Sequence, residues 1–223
     1  MANTIEEIKI IINSKISPIL ELNGFRYRKN NNSFTKKGIN ENEFRINVKL
    51  TNGGFNIHLI LAVYNSNIGS LRENIKKLTS KNENLFCNSK AMLSSIKKNN
   101  SLLADLTDWK SIDKRNELHI WFESFDDINK ILDLDIQLNK SVEIGLKWFK
   151  QCEDFNYLIQ YNINRGLENT IETSLLLLYY QNNIHQLDYI YNEIIMERNK
   201  RNLHISDIEE FYHALKRYIK QTS

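Results

Sequence analysis

The side chains best suited to proton transfer or metal binding are five histidines, two of which fall on segments that alternate like strands. Period-two spacing groups His58 with Asn56, Ile60 and Tyr64, and groups His119 with Trp121 and Glu123. If both segments join one sheet, these residues share its second face, opposite Phe55, Ile57, Leu59 and Leu118, Ile120, Phe122. There the histidines could form an acid–base pair or part of a recognition surface. A general base is defined by geometry, and no acidic partner stands at a set spacing, so half-buried strand histidines are the preferred reading. His185, His204 and His213 fall on helical segments near Asp188, Glu209 and Glu210, without HExxH or comparable ligand spacing. No metal or cofactor is expected.

Other reaction chemistries fare no better. Glu43, Arg45 and Lys49 line one strand face in a way that resembles a Mg²⁺ nuclease. Such a site needs at least two converging carboxylates, and this strand offers one, without an acid-x-lysine pair. There is no Gly-rich phosphate loop, no GxSxG and no Cys–His arrangement. Cys87 and Cys152 stand far apart without a CxxC spacing, and are read as buried free thiols in a reducing compartment. An enzyme is not expected.

Charge gives a stronger signal. Residues 1–100 carry 16 Lys and Arg against 7 Asp and Glu, whereas residues 101–223 carry 14 against 20, so the formal +3 of the chain hides two opposed halves. Arg26, Arg28, Lys36 and Lys37 form a predicted basic patch, extended by Lys29, Arg45 and Lys49 and interleaved with Phe25, Tyr27, Phe34 and Phe44. RNA-binding surfaces combine such cations with stacking aromatics. Yet Phe44 alternates away from Arg45 and Lys49, which leaves those charges without stacking platforms. Asp126, Asp127, Asp133 and Asp135 form a predicted acidic patch at the start of a long helix, where acids also suit the helix dipole. It would suit a basic toxin or dock onto the protein's own basic half.

These residues depend on elements that periodicity makes legible. Thr4 and Glu7 form a capping box, and Ile5, Ile8, Ile12, Ile16 and Ile19 continue at helical spacing towards a Gly24 C-cap, with Pro18 as an expected kink. The period then becomes two: Phe25–Arg28, Ser33–Lys37, Phe44–Leu50 and Phe55–Tyr64 read as four strands, the last two joined at Asn52-Gly53-Gly54. Residues 68–100 read as basic helix, 101–117 as a polar connection, and Leu118–Phe125 as a further strand. Asp126 then caps a long helix containing Ile128, Ile131, Leu132 and Ile136. Helical patterns follow at about 154–164, 168–181, 184–200 and 206–220. The expected fold class is α+β: an antiparallel β-meander with an N-terminal helix, packed against a mostly helical C-terminal half. The expected division is a sheet domain over 1–152 and a helical extension over 153–223.

The segments GFRYRKN, SFTKK, FRINVKL and FNIHLILAVYN, with Trp109, HIWFES and IGLKWFKQCEDFNYLI, occur in an order that resembles the bacterial family catalogued as domain of unknown function 4304. The resemblance spans about residues 4–180. It implies this α+β fold and brings no catalytic signature with it.

Together these readings predict a non-enzymatic protein-binding module, an immunity or antitoxin-like protein of a bacterial conflict system. Its open sheet face would carry Arg45, Lys49, His58, His119, Trp121 and Glu123, and its partner would be another protein, such as a toxin. The alternative is a nucleic-acid-binding accessory protein using the basic half. MANTIEEIKI lacks the basic start of a signal peptide, and Leu175–Tyr180 is far short of the ~20 residues that span a bilayer, so a cytoplasmic protein without membrane contact is expected.

Overall fold

The computed structural model describes residues 5–51, 56–79, 101–105, 119–121, 133–165 and 168–222. The first helix, α1 (Ile5–Leu22), buries Ile8, Ile12, Ile16 and Leu20 along one stripe. Pro18 does not interrupt it. The ring is exposed, and so is Ser14 four residues earlier, so water can satisfy the carbonyl that lacks an N–H partner. Gly24 takes φ +82° and the end closes as a Schellman motif, with Phe25 N–H donating to Leu20 O and Gly24 N–H to Glu21 O, each at 2.9 Å.

Strands β1 (Arg26–Arg28), β2 (Ser33–Lys37), β3 (Glu43–Thr51) and β4 (Asn56–Tyr64) follow in the order of the sequence, as neighbours in one sheet. Tyr27 opposes Phe34, Phe34 opposes Ile46, and Lys36 opposes Phe44. Phe34, Phe44, Ile46, Val48, Ile57, Leu59 and Leu61 are buried, as alternation requires of a covered face. Strand β5 (Leu102–Asp105) lies inside the stretch expected to be a polar connection. Its apolar core is only Leu103 and Ala104, too short a run to stand out by period. Strand β6 (His119–Trp121) pairs antiparallel with β4, so the late strand joins the meander sheet as anticipated.

Helix α3 (Leu134–Gln151) packs on α1 and β6. It starts later than the expected Asp126: Asp133 adopts φ 56°, a left-handed conformation that a continuous helix does not pass through. Residues 128–132, like Thr4 and the Asn52–Gly54 turn, lie outside the described residues. After α3 the chain is helical: α4 (Phe155–Arg165), α5 (Glu168–Tyr180), α6 (Leu187–Lys200) and α7 (Ser206–Thr222), within a few residues of expectation. Fold class is therefore α+β, with an antiparallel sheet and a mostly helical C-terminal half.

The chain forms two compact units. One comprises Met1–Val63 and Asp105–Glu153, the other Tyr64–Ala104 and Asp154–Ser223. Residues 64–104, which the expected division at 152 grouped with the sheet, cluster with the helices. The cause is α2 (Ser66–Lys76), whose Ile68 and Ile75 are buried and which packs on α5 and α7. Helix α5 is central to that unit, because Ile171 to Leu178 are buried on every side. Among the described residues no helix is long and apolar enough to cross a membrane.

Candidate functional site

The sheet's second face is partly covered and partly open. His58 and His119 are direct cross-strand partners, and Trp121 opposes Asn56. His58 is nevertheless only 8% exposed, so it does not belong to an open recognition surface as expected. Ser33, Thr35 and Ala62 are buried as well. Arg45 is half-buried and paired with Glu43 two residues away, which occupies the strand's one carboxylate. Lys49 is exposed. Glu123 lies outside the described residues.

The basic patch divides in the same way. Arg26, Arg28 and Lys37 are exposed, and Arg28 Nε donates to Thr35 Oγ1 at 3.0 Å. Lys36 faces the other way, because it is opposite Phe44 and two residues from Phe34. Of the acidic patch, Asp126 and Asp127 lie outside the described residues. Asp133 is exposed, and Asp135 accepts from Lys15 at 2.7 Å, which ties α3 to α1. Cys152 is buried, and burial pushes its thiol pKa far up, leaving it inert as a nucleophile. Cys87 lies outside the described residues. No group of three or more His, Cys, Asp and Glu converges among the described residues.

Lys36 instead belongs to a cleft in the sheet-bearing unit, bounded by β2, β3, the end of α1 and the last turns of α3. The cleft holds about 380 Å³, near the lower end of ligand-site volumes, and is lined by Asn23, Phe25, Lys36, Phe44, Leu146, Lys147, Phe149, Lys150 and Glu153. Its floor is aromatic. Phe44 stacks on Phe149 with ring centroids 4.9 Å apart, and Phe25 meets Phe149 at 5.7 Å. Gly38 permits this packing, since a Cβ there would stand 2.6 Å from the Phe44 ring. Lys36 Nζ lies 5.9 Å from the Phe25 ring centroid, a cation–π distance. Among the described residues Lys147 and Lys150 form no ion pair, and both are exposed. The lining thus carries three lysines and one carboxylate, Glu153, around a largely buried aromatic floor.

The cleft was only half visible in the sequence. In the sequence Lys36 and Lys37 read as one basic patch, although adjacent strand residues point to opposite faces. Lys147 and Lys150, three residues apart, flank the equally spaced Leu146 and Phe149; that pairing of an apolar edge with a basic edge is the signal that marks the site. Comparison of the chain with protein-family models, curated proteins and solved structures finds no match.

Proposed function

We propose that the chain is a non-enzymatic binding module that captures an acidic protein partner, in the manner of immunity proteins and antitoxins of bacterial conflict systems. The observation that carries this reading is the cleft, where Lys36, Lys147 and Lys150 converge from a strand and a helix around Phe25, Phe44 and Phe149. Converging like charges repel one another, and an anionic partner relieves that repulsion while steering its own approach. Single-stranded nucleic acid is the weaker reading here. Base stacking needs exposed ring faces, whereas Phe25, Phe44 and Phe149 are only 2–3% exposed. Kinship with domain of unknown function family 4304 is part of the same proposal and rests on the resemblance of its sequence segments.

Affinity capture from the native host tests the reading, using the full chain and its Lys147→Glu/Lys150→Glu variant as parallel baits. A stoichiometric protein held by the first and lost by the second, with release at raised salt, is the expected result. Equal recovery on both baits, or no stoichiometric protein on either, would sink it.

A further inference from the structure

The rim of the cleft carries more information than its net sign. A phosphate backbone presents anions at every step and offers its protein few hydrogen-bond donors. A rim made for it gains nothing from a carboxylate and loses through repulsion. Glu153 is nonetheless part of this rim, three residues beyond Lys150 in the turn that follows α3. A polypeptide fits both signs: its Asp and Glu side chains can meet the lysines while its backbone N–H groups can donate to Glu153. The cations are all lysines, with no arginine among the lining residues. Lysine is a point charge that tolerates many approach angles, whereas the arginine fork suits planar, bidentate groups held in one orientation. The apolar surface offered by Leu146 and the phenylalanine edges is small, since Phe25, Phe44 and Phe149 are almost wholly buried, so contact there is secondary to the charged rim.

We infer that the cleft takes a short acidic segment of polypeptide, with carboxylates at Lys36, Lys147 and Lys150 and a backbone N–H at Glu153. This rests on the binding-module reading, and it names which part of an acidic partner enters.

The test is an amide-resolved NMR titration of the full chain with an acetylated, amidated Glu-Asp-Leu-Asp-Glu peptide, with a short oligothymidylate of equal charge alongside. The expected shifts centre on Lys36, Phe44, Lys147, Phe149 and Lys150. Each exposed ion pair contributes only a few-fold, so Lys147→Gln/Lys150→Gln should weaken the peptide about five- to tenfold. Glu153→Gln should weaken the peptide about twofold and strengthen the oligothymidylate, because it exchanges a charged acceptor for a weaker neutral one and removes a repulsive charge. Lys36→Met, which keeps the stem over Phe25, should lower peptide affinity without altering the fold seen by circular dichroism.

Three outcomes overturn the inference: no shifts at the cleft at millimolar peptide, tighter peptide binding in Glu153→Gln, or tighter binding of the oligothymidylate than of the peptide by the native chain. A positive titration with failed affinity capture removes only the functional reading. Successful, lysine-dependent capture with a failed titration removes only this inference.

Discussion

Replacing Glu172 with Gln should destabilise the helical unit by more than a single ion pair is ordinarily worth. Arg72 of α2 is 2% exposed and its Nε lies 3.5 Å from Glu172 Oε2 of α5, an ion-pair distance; the Glu172 side chain is 11% exposed. The guanidinium also donates to the Thr173 hydroxyl. Lys76 Nζ stands 3.3 Å from the same Glu172 oxygen, near the solvent edge. At an effective dielectric constant of about 20, unit charges 3.5 Å apart attract by about 5 kcal/mol, while burying an ion costs several kcal/mol. Burial holds the Arg72 pKa below its ordinary value, and the opposing pull of the Glu172 charge is the smaller influence. The pair therefore offsets its own desolvation incompletely. A lone buried guanidinium would be far worse.

The expected cost of Glu172→Gln is about 3 kcal/mol, the low end for breaking a buried pair, because the amide oxygen can still accept from Arg72. Glu172→Ala should approach about 5 kcal/mol, since it adds a cavity. The double replacement Arg72→Met/Glu172→Leu should fall within about 1 kcal/mol of the native protein, as apolar residues of similar volume suffer no desolvation. Urea unfolding at neutral pH, followed by far-ultraviolet circular dichroism on native, single and double variants, completes the cycle. A loss below about 0.5 kcal/mol for Glu172→Gln would mean that water reaches Arg72, and the burial argument would fail. A double variant that loses the sum of both singles would show that the two side chains are not coupled, and the ion-pair argument would fail.

Gly38→Ala should cost about 1–3 kcal/mol by urea unfolding, since its Cβ would stand 2.6 and 2.8 Å from two atoms of the Phe44 ring, which is itself held by Phe149. Unchanged stability would mean that the ring moves freely. Asn65 caps α2 by accepting from the N–H groups of Asn67 at 3.0 Å and Ile68 at 3.1 Å, so Asn65→Ala should cost about 0.5–2 kcal/mol and Asn65→Asp less. Equal losses for both substitutions would refute the cap as the cause. Hydrogen bonds from Lys216 and Tyr212 hold the Asp188 pKa below the ordinary carboxylate value. A depressed pKa stabilises the fold above the unfolded value and loses that contribution as pH falls through the folded one. The difference in Tm between native and Asp188→Asn proteins should therefore be constant above about pH 5 and shrink below about pH 4. A difference that persists to pH 2 would show that the carboxylate charge is not the cause.

Local periodicity carries much of this fold, and long-range partners carry what it misses. Ile8, Ile12, Ile16 and Leu20 announce α1, and the alternation of Phe44, Ile46 and Val48 announces β3, because each pattern is complete within one element. Strand β5 has two buried apolar residues and no pattern long enough to be read. The cluster around Arg72 is equally invisible, since Thr173 is 101 residues away and an arginine on an amphipathic helix ordinarily faces water. His58 shows the intermediate case. Alternation and pairing bring it to His119, yet the covering of that face depends on elements no strand pattern describes.

The same distinction bears on charge. Several cations of the basic half meet carboxylates: Lys9 pairs with Glu6, Arg45 with Glu43, Lys15 with Asp135, and Arg72 and Lys76 with Glu172. Asp135 and Glu172 come from the acidic half, so part of the opposed charge is absorbed within each unit. The cleft draws on both halves, with Lys36 from the basic one and Lys147, Lys150 and Glu153 from the acidic one. Net charge over a hundred residues thus averages out the arrangement that matters, which exists only once a strand and a helix end are folded together. A partner selected by bulk charge would respond equally to Arg26→Glu/Arg28→Glu and to Lys147→Glu/Lys150→Glu, since both reverse two exposed cations. A partner selected by the cleft should lose at least tenfold more affinity with the second pair, because only those lysines share an apolar floor with a third cation and an acceptor.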